Sequence, residues 1–152
     1  MNNNETKKPY KTWNLYAIIH NEEKATNHWQ WLGKGFDNKD SSINIVQNLF
    51  TTENKLQLRI DKKTEEKNIE MNPDEFPSQW DIFAAIPGKG NKTIWILIGR
   101  GFTNEDYSIN LLLNAQAKLG KIQLKPHTET DKILTEKEQI YGTELPDDEI
   151  PI

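Results

Sequence analysis

A stretch of twelve residues, Gly33-Lys34-Gly35-Phe36-Asp37-Asn38-Lys39-Asp40-Ser41-Ser42-Ile43-Asn44, returns 66 positions later as Gly99-Arg100-Gly101-Phe102-Thr103-Asn104-Glu105-Asp106-Tyr107-Ser108-Ile109-Asn110. Eight of the 12 pairs are identical. The same offset aligns Trp29 with Trp95, and Lys55-Leu56-Gln57-Leu58-Arg59 with Lys121-Ile122-Gln123-Leu124-Lys125. Trp13 to Ile19 matches Trp80 to Ile86 at an offset of 67, which requires a one-residue length change in the intervening loop. The chain is a tandem duplication. Whatever local structure one copy adopts, the other must be able to adopt as well.

Each copy reads as four strands. Trp13 to Ile19 and Trp80 to Ile86 are short apolar and aromatic runs of strand length. Trp29 to Phe36 and Trp95 to Phe102 form the second pair, and the Asn-x-Asp turns after them reverse the chain. Ser42 to Phe50 and Ser108 to Ala115 follow, then Lys55 to Ile60 and Lys121 to Lys125. Short connections make each copy an antiparallel meander. Period-two parity places Leu56, Leu58 and Ile60 on one face, with Gln57 and Arg59 on the other. Ile43, Ile45 and Leu49 share a face, as do Ile109, Leu111 and Leu113. The paired glycines Gly33 and Gly35, and Gly99 and Gly101, suggest a sharp bend or a close backbone approach, the bend being favoured.

The expected fold class is all-β: two tandem small antiparallel β modules, OB-like or related small barrels, with a disordered acidic C-terminal tail. Residues 1–11 read as a disordered N-terminus, 12–60 as the first module and 61–79 as a charged, proline-bearing linker with one helical turn around Lys62 to Ile69. The second module spans 80–126, and 127–152 is the tail with its terminal tip.

Charge is unevenly divided. Met1 to Lys125 carries 17 basic against 15 acidic residues, whereas Pro126 to Ile152 carries 2 against 8. A mildly basic body with an acidic tail is a pattern found in nucleic-acid association. No apolar run approaches the roughly 20 residues of a membrane span, so no membrane partner is expected. The absence of cysteine excludes disulfides and thiolate metal sites. With a polar, Lys-rich start that lacks an apolar h-region, this gives a cytoplasmic expectation.

Catalytic chemistry is poorly supplied. His20, His28 and His127 show no metal-ligand spacing, and the Gly-x-Gly pairs do not open onto a helix. Asp40 and Asp106 follow turn asparagines and read as turn stabilisers. No enzyme and no cofactor is expected. Binding chemistry is richer, since base faces stack on aromatics while Lys and Arg track phosphates. Trp29, Trp31 and Phe36 with Lys34, Lys55 and Arg59 form the candidate set of the first copy. Trp95, Phe102, Arg100, Lys121 and Lys125 form that of the second. Trp13 and Trp80 are balanced between core and site.

The chain ends Asp147-Asp148-Glu149-Ile150-Pro151-Ile152. Consecutive acids before an apolar-proline-apolar carboxy-terminus suit capture by a basic rim and an apolar pocket on another protein. This end resembles the acidic tip of bacterial single-stranded-DNA-binding proteins, Asp-Asp-Asp-Ile-Pro-Phe. Asp147, Asp148, Ile150 and Pro151 match, Glu149 is a like-charge change, and Ile152 stands in place of Phe. The repeat is also similar to short uncharacterised bacterial proteins, which imply no activity. The resemblance of the tip implies an OB-fold body that holds single-stranded DNA without sequence specificity. It also implies a tip that recruits replication and repair proteins. Each copy has four strands where an OB-fold has five, and two copies can stand in for two subunits of an oligomer or assemble further as a homo-oligomer. The alternative expectation is an adaptor or inhibitor that displays the tip to occupy partners of the host single-stranded-DNA-binding protein.

Overall fold

The computed structural model describes residues 10–67, 76–116 and 121–127. The acidic tip and the tail from residue 128 lie outside the described residues. Among the described residues eight strands form in chain order: β1 (Thr12–Asn21), β2 (Thr26–Asp37), β3 (Ile43–Gln47), β4 (Lys55–Ile60), β5 (Gln79–Pro87), β6 (Thr93–Thr103), β7 (Ile109–Leu113) and β8 (Lys121–Pro126). One short helix, α1 (Lys62–Glu66), follows β4 and is capped by Asp61. No helix of the described residues is long and apolar enough to cross a membrane.

The strands close into a single antiparallel barrel in the order β1-β2-β3-β8-β5-β6-β7-β4. This refines the expected architecture in two ways. First, β4 returns to pair with β1, so each copy is a Greek key of spatial order 4-1-2-3 rather than a meander. Second, neither copy closes on itself. The outer strands of copy 1, β3 and β4, pair with β8 and β7 of copy 2, so the two four-stranded modules are halves of one barrel. A four-stranded antiparallel sheet has two edges whose unpaired N–H and C=O groups need partners, and mutual closure removes all four edges.

The seams explain much of the repeated sequence. Ile43 faces Leu124 across one seam and Ile109 faces Leu58 across the other, which are equivalent pairs of the duplication. Gln57 Nε2 donates to Asn110 Oδ1 at 2.8 Å, and its counterpart Gln123 Nε2 donates to Asn44 Oδ1 at 2.7 Å. Arg59 pairs with Asp106 across the seam at 3.1 Å. These recurring polar residues therefore stitch the copies together.

The interior follows the parity read from the sequence. Trp13, Leu15 and Ala17 of β1 meet Ile43, Ile45, Leu56 and Leu58 within a core cluster that also holds Trp80, Ile82, Ile109, Leu111, Ile122 and Leu124. Both indole N–H groups at the barrel's lower end find acceptors, as buried donors must. Trp13 Nε1 donates to Asp37 Oδ1 (2.7 Å) and Trp80 Nε1 to Thr103 Oγ1 (2.8 Å). The mismatch between Asp37 and Thr103 in the repeat thus keeps an acceptor in both copies. Phe76 closes this end, 5.9 Å from Trp13 and 5.1 Å from Tyr107.

Local details separate what each motif does. In both copies a β-bulge interrupts the pairing of the first two strands, between Leu15 and Tyr16 and between Ile82 and Phe83. The extra residue of each bulge, Leu32 or Ile98, sits one position before the glycine. Gly33 and Gly99 themselves serve a close approach: an added Cβ would lie 2.1 Å from the carbonyl oxygen of Val46 or of Leu112. Asp40 and Asp106 accept from the backbone and hydroxyl of Ser42 and Ser108, holding the turns with Ser41 and Tyr107 at positive φ. Those hydroxyl bonds are the first cause that lowers both carboxyl pKa values. The one-residue length difference is absorbed at the first hairpin: β1 and β2 each run one residue further towards the tip than β5 and β6, and the loop of copy 1 is one residue shorter, so no strand's parity shifts.

Two boundaries move. Leu49 was expected inside, but the chain leaves the sheet at Asn48, whose N–H and that of Leu49 both bond to the Leu32 carbonyl, and Leu49 and Phe50 are exposed. Lys11, expected in a disordered N-terminus, is buried. Its Nζ lies 3.5 Å from Asp37 and over the Phe76 ring.

Asp61 ties α1 to the barrel. Its carboxylate accepts from the Thr12 hydroxyl, from Thr64 N–H (2.9 Å) and from Lys34 Nζ (3.3 Å). Burial pushes its pKa up, yet these hydrogen bonds outweigh burial and bring it down to about 2. A carboxyl depressed in the folded state contributes stability above its unfolded pKa of about 4 and loses it as pH falls through the folded value. We expect urea unfolding to show a loss of about 2 kcal/mol from this group between pH 5 and pH 2. Asp61→Asn should be less stable at neutral pH and show a shallower acid limb; an unchanged limb would remove Asp61 from this role.

Candidate functional site

Outward parity on β1, β2 and β4 assembles one face from copy 1. Asn14 is flanked by Lys34 on β2 and Arg59 on β4, and Tyr16 by Trp31 and Gln57. Ile18 lies opposite Trp29, and Thr12 opposite Phe36. Aromatics and cations of this copy therefore share one surface, because β1 sits between the two strands that carry them.

Trp29 (42% exposed) and Phe36 (46% exposed) lie towards the two ends of this face. Trp29 packs edge-on against Tyr16, ring centroids 5.8 Å apart, and the Arg59 guanidinium lies 5.6 Å from its ring centre. Trp31 is half-buried and spends its indole N–H on Asn14 Oδ1 at 3.1 Å. Two shallow concavities on the face share Asn14, Asp61 and Lys62. One extends to Lys34 and Phe36, the other to Tyr16, Trp29 and Arg59. Joined, they form a groove with α1 as one wall, Lys62 and Lys63 projecting from it. Four cations (Lys34, Arg59, Lys62 and Lys63) line it against the single carboxylate of Asp61.

The equivalent face of copy 2 is built differently. β5 lies four places from β1 in the eight-stranded ring, so this face is on the opposite side of the barrel. Asp81 replaces Asn14; it is fully buried, flanked by Arg100 and Lys125, ion-paired with Arg100 (3.5 Å) and within hydrogen-bond distance of His127 Nδ1 (2.9 Å). Phe83 replaces Tyr16 and is buried, and Leu97 replaces Trp31. Trp95 is half-buried and Phe102 is exposed. Arg100 is thus drawn to an internal carboxylate on the neighbouring strand of its own sheet, whereas its counterpart Lys34 pairs with Asp61 at the start of α1.

The eleven residues expected to bind DNA are consequently split. Trp29, Trp31, Lys34, Phe36 and Arg59 come together on the groove face. Trp95, Arg100, Phe102 and Lys125 stand on the far side. Lys55 starts β4 beside Leu112 of β7, and Lys121 starts β8 beside Val46 of β3, so both are exposed near the seams. Asp147, Asp148, Glu149, Ile150, Pro151 and Ile152 lie outside the described residues. Trp13 and Trp80 are core residues.

Sequence reasoning missed Asn14, Tyr16, Asp61, Lys62 and Lys63. The first two carry a readable signal, outward parity on β1 together with a change of type between copies. Asp61 to Lys63 fell within the stretch taken as linker. Comparison of the chain with protein-family models, with curated proteins and with solved structures finds no match.

Proposed function

We propose that the protein binds single-stranded DNA along the groove of copy 1, and that its acidic tip recruits replication and repair proteins to the bound strand. One observation carries this reading: exposed aromatic rings and an excess of cations occupy the same outer face of a rigid barrel. Each base stacked on an aromatic contributes roughly 1–3 kcal/mol whatever its identity, and Lys and Arg follow the phosphates. Outward side chains on a strand recur every ~6.7 Å. The four rows from Phe36 to Trp29 therefore span about 20 Å, suited to a contact at the short end of the roughly 4–16 nucleotides held per small barrel. The logic is OB-like, a small closed barrel presenting a strand face to an oligonucleotide. The tip supports the reading independently through its resemblance to that of bacterial single-stranded-DNA-binding proteins. On this reading the protein acts in the cytoplasm, in DNA replication, repair and recombination.

Titration of oligo-dT followed by tryptophan fluorescence tests it. Quenching is expected, with log affinity falling against log salt at a slope of about −2 to −3, as three or four neutralised phosphates imply. No quenching and no mobility shift at low salt would overturn the proposal. Equal affinity for a duplex of the same length would do so too, because a duplex offers no free base faces.

A further inference from the structure

We infer that Asn14 sets base preference in this groove by presenting hydrogen-bond donors only, favouring bases rich in carbonyl oxygens, thymine above adenine. The inference rests on the single-stranded-DNA reading and names which base the groove prefers. Trp31 Nε1 is a donor and nothing else, so the atom it reaches 3.1 Å away must be the amide oxygen of Asn14. That bond fixes the side-chain orientation by chemistry. The amide nitrogen has no hydrogen-bond partner among the described residues, and Asn14 lines both halves of the groove. Its register neighbours, Lys34 and Arg59, are donors as well. A base stacked at Phe36, one row from Asn14, therefore meets N–H groups, since the one carboxylate lining the groove, Asp61, is spent on Thr12, Thr64 and Lys34. Thymine offers two carbonyl oxygens to them, whereas adenine offers ring nitrogens and an exocyclic amine that itself needs an acceptor.

The second copy shows what a different residue does at the same place. Asp81, with a carboxylate where Asn14 has an amide, pairs with the Arg100 and His127 beside it. An Asn14→Asp change should likewise add a second carboxylate beside Lys34 and Arg59, which already pair with Asp61 and Asp106, and hold them from the phosphates.

The experiment compares oligo-dT, oligo-dA and an oligomer of difluorotoluene nucleotides, which keep the shape of thymine but lack its carbonyl acceptors. Wild-type protein should bind oligo-dT roughly two- to tenfold more tightly than the difluorotoluene oligomer, the range of one or two neutral hydrogen bonds. In Asn14→Ala that difference should vanish, with the oligo-dT to oligo-dA ratio moving towards one. Asn14→Asp should weaken all three oligomers about tenfold or more. Circular dichroism checks each fold, and Asn14→Ser stands in should the alanine variant not fold. Equal wild-type affinity for oligo-dT and its difluorotoluene analogue would overturn the inference while leaving single-stranded-DNA binding intact. So would a preference that survives in Asn14→Ala. Failure of wild-type protein to bind any of the three would instead remove the functional reading beneath it.

Discussion

Gly33→Ala is expected to destabilise the barrel by about 3 kcal/mol, lowering the thermal midpoint by roughly 10 °C. The methyl group would sit 2.1 Å from Val46 O and 2.9 Å from Gln47 Cα. Both are backbone atoms of the neighbouring strand, so no rotamer change relieves the clash. Either the β2–β3 pairing opens or the bulge at Leu32 is lost. Gly99→Ala meets Leu112 O at the same distance and should cost as much. The two sites lie far apart in the ring, so their costs should add. The double variant would then lose about 6 kcal/mol, comparable with the whole stability of many domains. Gly90 is the control. It sits in a hairpin tip at φ +63 with nothing within 4 Å of an added Cβ, and alanine there should cost only about 1 kcal/mol. Thermal unfolding followed by circular dichroism reads all of these. A Gly33→Ala midpoint within about 2 °C of wild type would mean that the strands are not held at this spacing.

The second large effect concerns the groove. Trp29→Ala combined with Phe36→Ala should weaken oligo-dT binding at least about thirtyfold, since two stacking platforms at roughly 1–3 kcal/mol each are removed. Both side chains are exposed, and neither belongs to the core cluster, so the fold should tolerate the change. Trp95→Ala with Phe102→Ala, the matching pair on the far side, should change affinity less than about threefold. Fluorescence is compromised when Trp29 is absent, so anisotropy of a labelled oligomer is the better readout. Equal losses from the two pairs would put DNA on both faces. A larger loss from the copy 2 pair would move the site there.

Much of this molecule was legible in its residues, and the limits are physical. Alternation reports which face a side chain occupies, so the inward set Leu56, Leu58, Ile109 and Leu111 was readable without coordinates. It does not report which strand lies alongside. That Lys55–Ile60 returns to β1 and then meets β7 depends on pairings between residues as distant as Leu58 and Ile109. No short-range pattern carries that information. Parity put Gln57 on the face away from Leu56 and Leu58, but its bond to Asn110 across the seam becomes visible only once the copies interlock. The groove was half legible for the same reason. Trp29, Lys34 and Phe36 announce themselves by type on one strand. Asn14 and Tyr16 matter because β1 runs between β2 and β4, and Lys62 matters because α1 folds back over that junction. Recurrence also pulled in a misleading direction. It grouped Arg100 with Lys34, and each does pair with a buried carboxylate, but Arg100 meets Asp81 on the adjacent strand where Lys34 meets Asp61 beside α1.

The two seams have one more consequence. Copy 1 supplies β3 and β4 as open edges, and copy 2 completes them with the strands that copy 1 would offer to a duplicate of itself, Ile43 on Leu124 matching Ile109 on Leu58. Such a closure is what two identical chains related by a twofold axis would make. In an assembly of identical chains every substitution is written twice, once on each side of the axis, so an acid could not enter one face without entering the other. Covalent fusion lifts that constraint. The barrel keeps its symmetry where the strands must interlock and abandons it on the outside, where a neutral amide at Asn14 and an acid at Asp81 hold the same address.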